Sequence, residues 1–220
     1  MKKNILLLAL LGVTATAAHA QTAIPAGTVS LGGSVGYYRH TTNAQVSGSN
    51  LSSESVSSQF QIAPSVGYFV ADNLAVGLSL GYTATKNTYT STISGSLSDL
   101  NPNTTFRSGA YVQYYKMLTD QFGLVGTLGG GYQYNRTTYI YGPVGNLNST
   151  ETKQKGYYAS LTPGIVYFPI PKLGISATVG SLAYSRLKET PTSGEPVTTD
   201  FGASFGLNQL QFGGTYYFGR

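Results

Sequence analysis

The sequence contains no cysteine, and this absence excludes several kinds of chemistry. Without cysteine the chain has no disulfide framework, no thiolate ligand for a metal ion and no lipid-modified cysteine to anchor it. Small secreted domains often depend on disulfide bonds, so this chain must be stabilised in another way.

Charged residues are also scarce, at 10% of the 220 residues. Low charge is typical either of disordered low-complexity chains or of a surface that faces something other than water. Plentiful aromatic and β-branched residues argue against disorder. Beyond the N-terminus there is no second run of about 18 apolar residues, which excludes further helical membrane spans. A β-barrel is the other structure that satisfies its backbone polar groups in lipid.

The N-terminus carries two lysines, an apolar run from Ile5 to Val13 and small residues up to Ala20. This order is typical of a secretory signal peptide. The alternative is an anchor helix, but crossing the hydrocarbon takes roughly 20 apolar residues and this run is about half as long. We therefore predict a signal peptide over residues 1–20, cleaved between Ala20 and Gln21, and one domain over residues 21–220.

One sequence pattern recurs along the rest of the chain. It begins at Tyr68, Tyr114 and Tyr167, and its start returns at Tyr216, so that the copies are 46 to 53 residues apart. Each copy is an aromatic pair that closes one strand, a tight turn, and an alternating strand that ends near a tyrosine. The spacing accommodates two strands and one long connection, so four copies predict eight strands.

The predicted strands alternate between two kinds of side chain, as in a sheet with two different faces. In residues 74–84 one parity is large and apolar, and it consists of Leu74, Val76, Leu78, Leu80 and Tyr82. A soluble lipocalin-like barrel also alternates, but it needs charged residues outside, and neither parity here carries charge in mid-strand. We therefore predict that the apolar parity faces lipid and that the Gly, Ser, Thr and Gln parity lines the interior.

Four tyrosines share the apolar parity at the turn ends of strands two, four, six and eight. They are Tyr68, Tyr114, Tyr167 and Tyr216. The β-propensity of tyrosine explains their number but not their repeated register. We predict that they form an interfacial aromatic girdle, with rings among acyl chains and hydroxyls among headgroups.

Connections between the strands fall into two classes. The short ones are Ala71–Asn73, Thr119–Gln121 and Pro169–Lys172. The long ones, rich in Ser, Thr and Asn, are residues 41–57, 87–105, 139–155 and 187–199. Bacterial barrels have short periplasmic turns and longer extracellular loops, which places both termini in the periplasm. Residues 198–207 extend the last strand or pack in the fourth loop, and the choice between eight and ten strands depends partly on them.

The repeated hairpin, the aromatic strand ends and the closing segment LNQLQFGGTYYFGR resemble the small outer-membrane β-barrel family, porin-like barrels of the OmpX and OmpA type. The resemblance covers nearly all of the chain after the signal peptide. It implies an all-β fold, an eight-stranded antiparallel up-and-down transmembrane β-barrel in the outer membrane of a Gram-negative bacterium. It also implies insertion by the barrel-assembly machinery, whose signal usually ends in an aromatic residue, whereas here Gly219 and Arg220 follow Phe218.

Basic residues are distributed unevenly between the two ends of the predicted barrel. Lys116, Lys172 and Arg220 lie on the turn side, and the others lie at or beyond the outer strand ends. One interpretation is a rim that binds phosphate groups of lipopolysaccharide, formed by Arg39, Lys86, Arg107, Arg136 and Arg186. The alternative is that charge collects wherever water begins. The net charge of +5 comes with no nucleic-acid-binding motif, so we expect no nucleic-acid partner.

No catalytic, metal or cofactor site is expected. Acidic residues fall in turns or loops, His40 has no partner identifiable by spacing, and glycine runs such as 128–132 lack a phosphate-loop lysine. The chain is predicted not to be an enzyme. Its expected role is structural or surface-interacting, through membrane lipids, lipopolysaccharide or an extracellular ligand that the sequence does not identify.

A narrow pore is the alternative function. Eight strands leave an interior just wide enough for side chains to fill. The candidate fillers are Tyr111, Gln113, Tyr115, Gln133 and Tyr158. Small residues on the inner face of the first and third strands leave room for some water, and no stable general diffusion channel is expected.

Overall fold

The computed structural model describes residues 23–45, 52–91, 97–141, 148–190 and 196–220. Its strand segments are β1 (Val29–Gln45), β2 (Ser52–Ala71), β3 (Leu74–Ser91), β4 (Leu97–Met117), β5 (Phe122–Tyr141), β6 (Asn148–Ile170), β7 (Leu173–Val179), β8 (Ser181–Thr190), β9 (Val197–Ser204) and β10 (Leu210–Phe218). A short 3-10 helix occupies Leu207–Gln209. Within these ranges no helix is long and apolar enough to cross a membrane. The predicted signal peptide and its cleavage site lie outside the described residues.

Antiparallel pairing closes the strands into a ring. Consecutive segments pair from β1 to β6, β6 pairs with both β7 and β8, and β10 pairs with β7 and β1. β7 and β8 are parts of one strand that breaks at Gly180, while β9 and β10 are parts of the last strand, which breaks at residues 205–209. The ring therefore has eight strands, as predicted. Val197–Ser204 extends the last strand by pairing with β8.

The prediction of four long loops was wrong in extent. Strand pairing continues far into residues 41–57, 87–105, 139–155 and 187–199; for example, Gln45 pairs with Ser52, and Tyr141 with Asn148. Once two strands are aligned, each further rung satisfies backbone hydrogen bonds whether or not its side chains are apolar, and Thr and Tyr favour the extended backbone. Polarity in these segments therefore marks where the apolar wall ends and not where the strands end.

The wall has the two faces that the alternation predicts. Large apolar side chains point outward and stay exposed, as in Leu78 at 64% and Leu128 at 57%. The inward parity is small or polar over most of its length, with the exception of a buried cluster at the turn end. Leu, Val and Ile of the apolar parity thus surround the barrel instead of filling it, which confirms the predicted orientation.

The ring is incomplete on one side. β10 pairs with β1 only along Val29–Val35, and β9 pairs with β8 alone, so that among the described residues Gly36–Gln45 of β1 has no partner strand on the side away from β2. We call this gap in the described part of the wall, between Gly36–Gln45 and Val197–Ser204, the seam. At the end of the seam that is closer to the short turns, the break at residues 205–209 turns the last strand away from β1.

Candidate functional site

The four tyrosines of the predicted girdle lie at one level of the wall. They pair across the sheet with Val29, Leu74, Phe122 and Leu173, which are the first residues of their strands. All four side chains point outward and are exposed, and the Tyr216 ring packs edge-on against Phe218 at a centroid distance of 4.8 Å. The tyrosines therefore encircle the turn end of the barrel.

The residue after each of these tyrosines is also aromatic and points inward. These residues are Phe69, Tyr115, Phe168 and Tyr217. Their rings pack together with centroid distances of 5.3 to 6.3 Å, and the Tyr115 and Tyr217 hydroxyls are 3.0 Å apart. We call this group of four side chains the aromatic plug. It fills the turn end of the barrel, where aromatic pairs add specific geometry to the burial of apolar area.

The segment before β1 covers the aromatic plug from outside. Ile24 is fully buried, its backbone N–H donates to Asn73 Oδ1 at 2.9 Å, and its carbonyl accepts a hydrogen bond from the Asn73 N–H at 2.9 Å. On the other side of the end, the Arg220 guanidinium lies 3.7 Å from the centroid of the Phe168 ring. The described N-terminal and C-terminal residues thus both pack against the turn end.

Beyond the aromatic plug the lumen widens into a polar cavity of about 250 Å³. Its walls carry hydroxyl and amide groups, several of which bond to one another: Gln113 Nε2 donates to Thr127 Oγ1 at 3.0 Å. Arg107 is the charged residue of this cavity. Its Nε donates to Gln133 Oε1 at 2.8 Å, and its guanidinium carbon lies 5.0 Å from the centroid of the Tyr158 ring.

A group of basic side chains faces outward at the opposite end, across β5, β6 and β8. It consists of Arg136, Lys153, Lys155, Arg186 and Lys188, and we call it the basic patch. Arg136 pairs directly with Lys153, and Lys155 with Lys188, so like charges oppose each other on two rungs. Such pairs destabilise a sheet. Along each of these strands an outward tyrosine lies two residues closer to the apolar wall than a basic residue, and this tyrosine row consists of Tyr134, Tyr157 and Tyr184.

Glu151 is the acidic side chain within this group. Lys153 Nζ lies 2.9 Å from its Oε1, and Arg136 also forms an ion pair with it. Hydrogen bonds from Lys153 and Arg136 lower the pKa of Glu151 below its ordinary value. Glu151 therefore stays ionised at neutral pH and offsets one positive charge, so the basic patch retains an excess of positive charge.

Comparison with protein families identifies the architecture. The model of the outer membrane protein beta-barrel domain matches residues 6–218. The chain belongs to this family. Its members are proteins of the bacterial outer membrane, so the exposed apolar wall is the surface that meets lipid. No sequence among the curated proteins matches this one.

Several solved outer-membrane barrels have a similar fold. OprG from Pseudomonas aeruginosa is 15% identical, with a TM-score of 0.46 and coverage of 88% of this chain and 97% of that one. Ail, the attachment invasion locus protein of Yersinia pestis, is 15% identical, with a TM-score of 0.40 and coverage of 88% and 99%. Neisserial surface protein A is 16% identical, with a TM-score of 0.42 and coverage of 87% and 99%.

The prediction was wrong for one residue of the rim, Arg107. Arg107 lies in the lumen of this outer-membrane barrel and not on its outward surface, so it is unavailable to lipopolysaccharide. Its parity is that of Tyr111 and Gln113, which were predicted to point inward. The prediction used only the position of Arg107 along its strand. The alternation of side chains would have assigned Arg107 to the inward face.

The other four rim residues do face outward and are exposed, but they form two separate groups. Arg39 and Lys86 are neighbours across Ser58 of β2, whereas Arg136 and Arg186 belong to the basic patch on the opposite wall. His40 lies on β1 with its Nε2 3.0 Å from Thr42 Oγ1. In the described ranges no group of three or more His, Asp or Glu residues could hold a metal ion.

Proposed function

We propose that this outer-membrane barrel has a structural, surface-interaction role in which the basic patch binds phosphate groups of lipopolysaccharide. In this proposal the end with the short turns is periplasmic and the basic patch faces outward from the cell. The barrel-assembly machinery inserts the chain, and no catalytic step is assigned to it.

The observation that supports the proposal is the paired arrangement of like charges. Arg136 lies opposite Lys153 and Lys155 lies opposite Lys188, which brings like charges together and adds repulsion, and Glu151 forms ion pairs with Arg136 and Lys153. Bound phosphates remove that repulsion because Arg and Lys form charge-assisted hydrogen bonds with them. The tyrosine row below the patch has the position expected at the boundary between acyl chains and headgroups.

A charge-removal experiment tests this role. The variant Lys153→Gln/Lys155→Gln is compared with Lys116→Gln/Lys172→Gln, whose exposed lysines lie at the turn end. Each basic residue near an anionic surface contributes about 1 kcal/mol, so the first variant, which loses two lysines, is expected to bind lipopolysaccharide about thirtyfold more weakly. Binding to the refolded barrel in detergent is measured by calorimetry, at low and high salt.

The turn-end variant is the matched control because it loses the same number of lysines. It should bind as the unmodified protein does. Dephosphorylated lipopolysaccharide should bind the two variants equally. If both variants bind intact lipopolysaccharide equally well, the basic patch is not the binding surface.

The narrow pore is the alternative. It is favoured by the polar cavity of about 250 Å³, and it is opposed by the aromatic plug, which occupies the lumen between that cavity and the turn end. We infer a barrel that does not conduct, because ions would have to pass between packed aromatic rings.

A further inference from the structure

Arg107 is held rigidly within the lumen by two contacts. Gln133 accepts a hydrogen bond from its Nε, and its guanidinium carbon lies 5.0 Å from the centroid of the Tyr158 ring. Gln133 is itself buried and donates from Nε2 to Asn135 Oδ1 at 3.0 Å, so the acceptor is fixed as well. Both contacts orient the guanidinium, and neither supplies a negative charge.

Among the described residues that line the cavity of about 250 Å³ around Arg107, none is a carboxylate. Asp200 and Arg107 both line an adjoining cavity of about 340 Å³, in which Asp200 accepts a hydrogen bond from Ser185 at 3.4 Å. Among the described residues Arg107 and Asp200 form no ion pair within 4.0 Å. Charges removed from bulk water are normally paired, so the cation of Arg107 lacks the compensation that such sites have.

The surroundings supply further donors at the junction of the two cavities. Ser160, Ser181 and Gln209 line both cavities together with Arg107 and Tyr158. Hydroxyl and amide groups donate hydrogen bonds to anions without adding charge. The aromatic plug closes the turn side, so a solute reaches this site from the end that carries the basic patch.

We propose that the lumen is a binding site for a small soluble oxyanion, a carboxylate, sulfate or phosphate, with Arg107 as its anchor. A guanidinium matches such groups with two parallel N–H···O bonds. Its fixed orientation reduces the conformational entropy that binding would otherwise cost. The cavity volume suits a small organic acid or an inorganic oxyanion and excludes a polymer.

Site-resolved NMR of the refolded barrel in micelles tests the proposal. Sodium sulfate and, separately, sodium acetate are added at constant ionic strength balanced with sodium chloride, and the signals of Arg107 Nε–H and the Gln133 side-chain amide are followed. We expect a saturable shift of these two signals. In Arg107→Gln the Gln133 amide signal is expected to lose its saturable shift. In Arg39→Gln, which removes an exposed cation outside the lumen, both signals are expected to retain it.

Two results would overturn the proposal. One is a shift that rises without saturation, or that appears equally at exposed arginines, since this would reflect bulk ionic effects. The other is a saturable response that persists in Arg107→Gln. If that variant does not fold, the site-resolved titration of the unmodified protein decides by itself whether the response is centred on Arg107. Loss of lipopolysaccharide binding at the basic patch would leave this site unaffected.

Discussion

Tyr216 and Tyr217 are adjacent in the chain and lie on opposite sides of the barrel wall. The first is exposed on the lipid-facing surface, and the second is 1% exposed within the aromatic plug. The same division occurs at Tyr68 and Phe69. A repeated aromatic dipeptide thus forms two structures at one level, because neighbouring side chains of an extended strand point to opposite faces.

Asn73 combines a backbone role with a side-chain role in the turn between β2 and β3. Its φ of 63° lies in the left-handed region, and its Oδ1 accepts the hydrogen bond from Ile24. Asparagine tolerates this region better than most residues. The turn and the segment that covers the aromatic plug therefore depend on one side chain.

Replacement of Asn73 separates these roles. Asn73→Gly keeps the positive φ and removes the hydrogen bond, which is expected to cost about 1 kcal/mol. Asn73→Ala loses the same bond and keeps a Cβ in the left-handed region without the polar side chain that lets asparagine tolerate it, so it is expected to be about 1 to 2 kcal/mol less stable than Asn73→Gly. Urea unfolding of both variants in lipid vesicles measures the difference. Equal losses would show that the backbone conformation contributes nothing.

The last two strands of the ring are each interrupted, one between β7 and β8 and the other between β9 and β10. Gly180 has a φ of 84°, and a Cβ there would collide with the carbonyl oxygen of Ser204. Because Gly180 has no side chain, the backbone at Ser204 and Phe205 can approach the junction of β7 and β8. This is the point where the last strand breaks. Beyond this break β9 follows β8, and Gly36–Gln45 of β1 keeps β2 as its partner on one side but has no strand of the described chain on the other side. This difference creates the seam.

Amide hydrogen exchange can detect the seam. Along Val29–Val35 β1 has a paired strand on each side, whereas along Gly36–Gln45 it has only β2. We expect slow exchange throughout the first stretch and an alternation of slow and fast amides in the second, because the amides pointing away from β2 have no partner strand. β5 is the control, since it is paired on both sides without interruption from Gly123 to Thr137. Uniform protection up to Gln45 would mean that the seam is closed in the folded protein.

At the scale of the whole molecule, closing the ring produces an interior with two parts. The turn end is packed and apolar, and the rest of the lumen is polar, with Arg107 among the residues that line its cavity of about 250 Å³. Because the aromatic plug draws one residue from each of four strands, removing its side chains weakens the packing of the entire turn end. The same removal is expected to open a path along the barrel axis.

Conductance in planar bilayers tests whether the aromatic plug closes the barrel. The unmodified protein and Tyr216→Ala are expected to show no steady conductance. Phe168→Ala/Tyr217→Ala is expected to conduct, and to lose roughly 3 to 5 kcal/mol of stability for each buried ring removed. Steady conductance of the unmodified protein would favour the narrow pore. An equally silent double variant would place the constriction elsewhere.

Much of this barrel follows from the sequence by itself. The period of two assigned each residue of a strand to one face, so the outward Leu, Val and Tyr and the inward fillers Tyr111, Gln133 and Tyr158 were predicted correctly. Four copies of one hairpin predicted eight strands. These features are local, because the extended backbone itself makes side chains alternate.

What the two faces of the wall enclose depends on contacts between residues that are distant in the sequence. Phe69, Tyr115, Phe168 and Tyr217 are separated by 46 to 53 residues along the chain and meet because the ring closes. The seam depends on whether the last strand stays beside β1 or follows β8, and the pairing of the basic patch depends on register. Pairing, register and closure join residues distant in sequence, and the alternation within a single strand carries no information about which distant partner each face will meet.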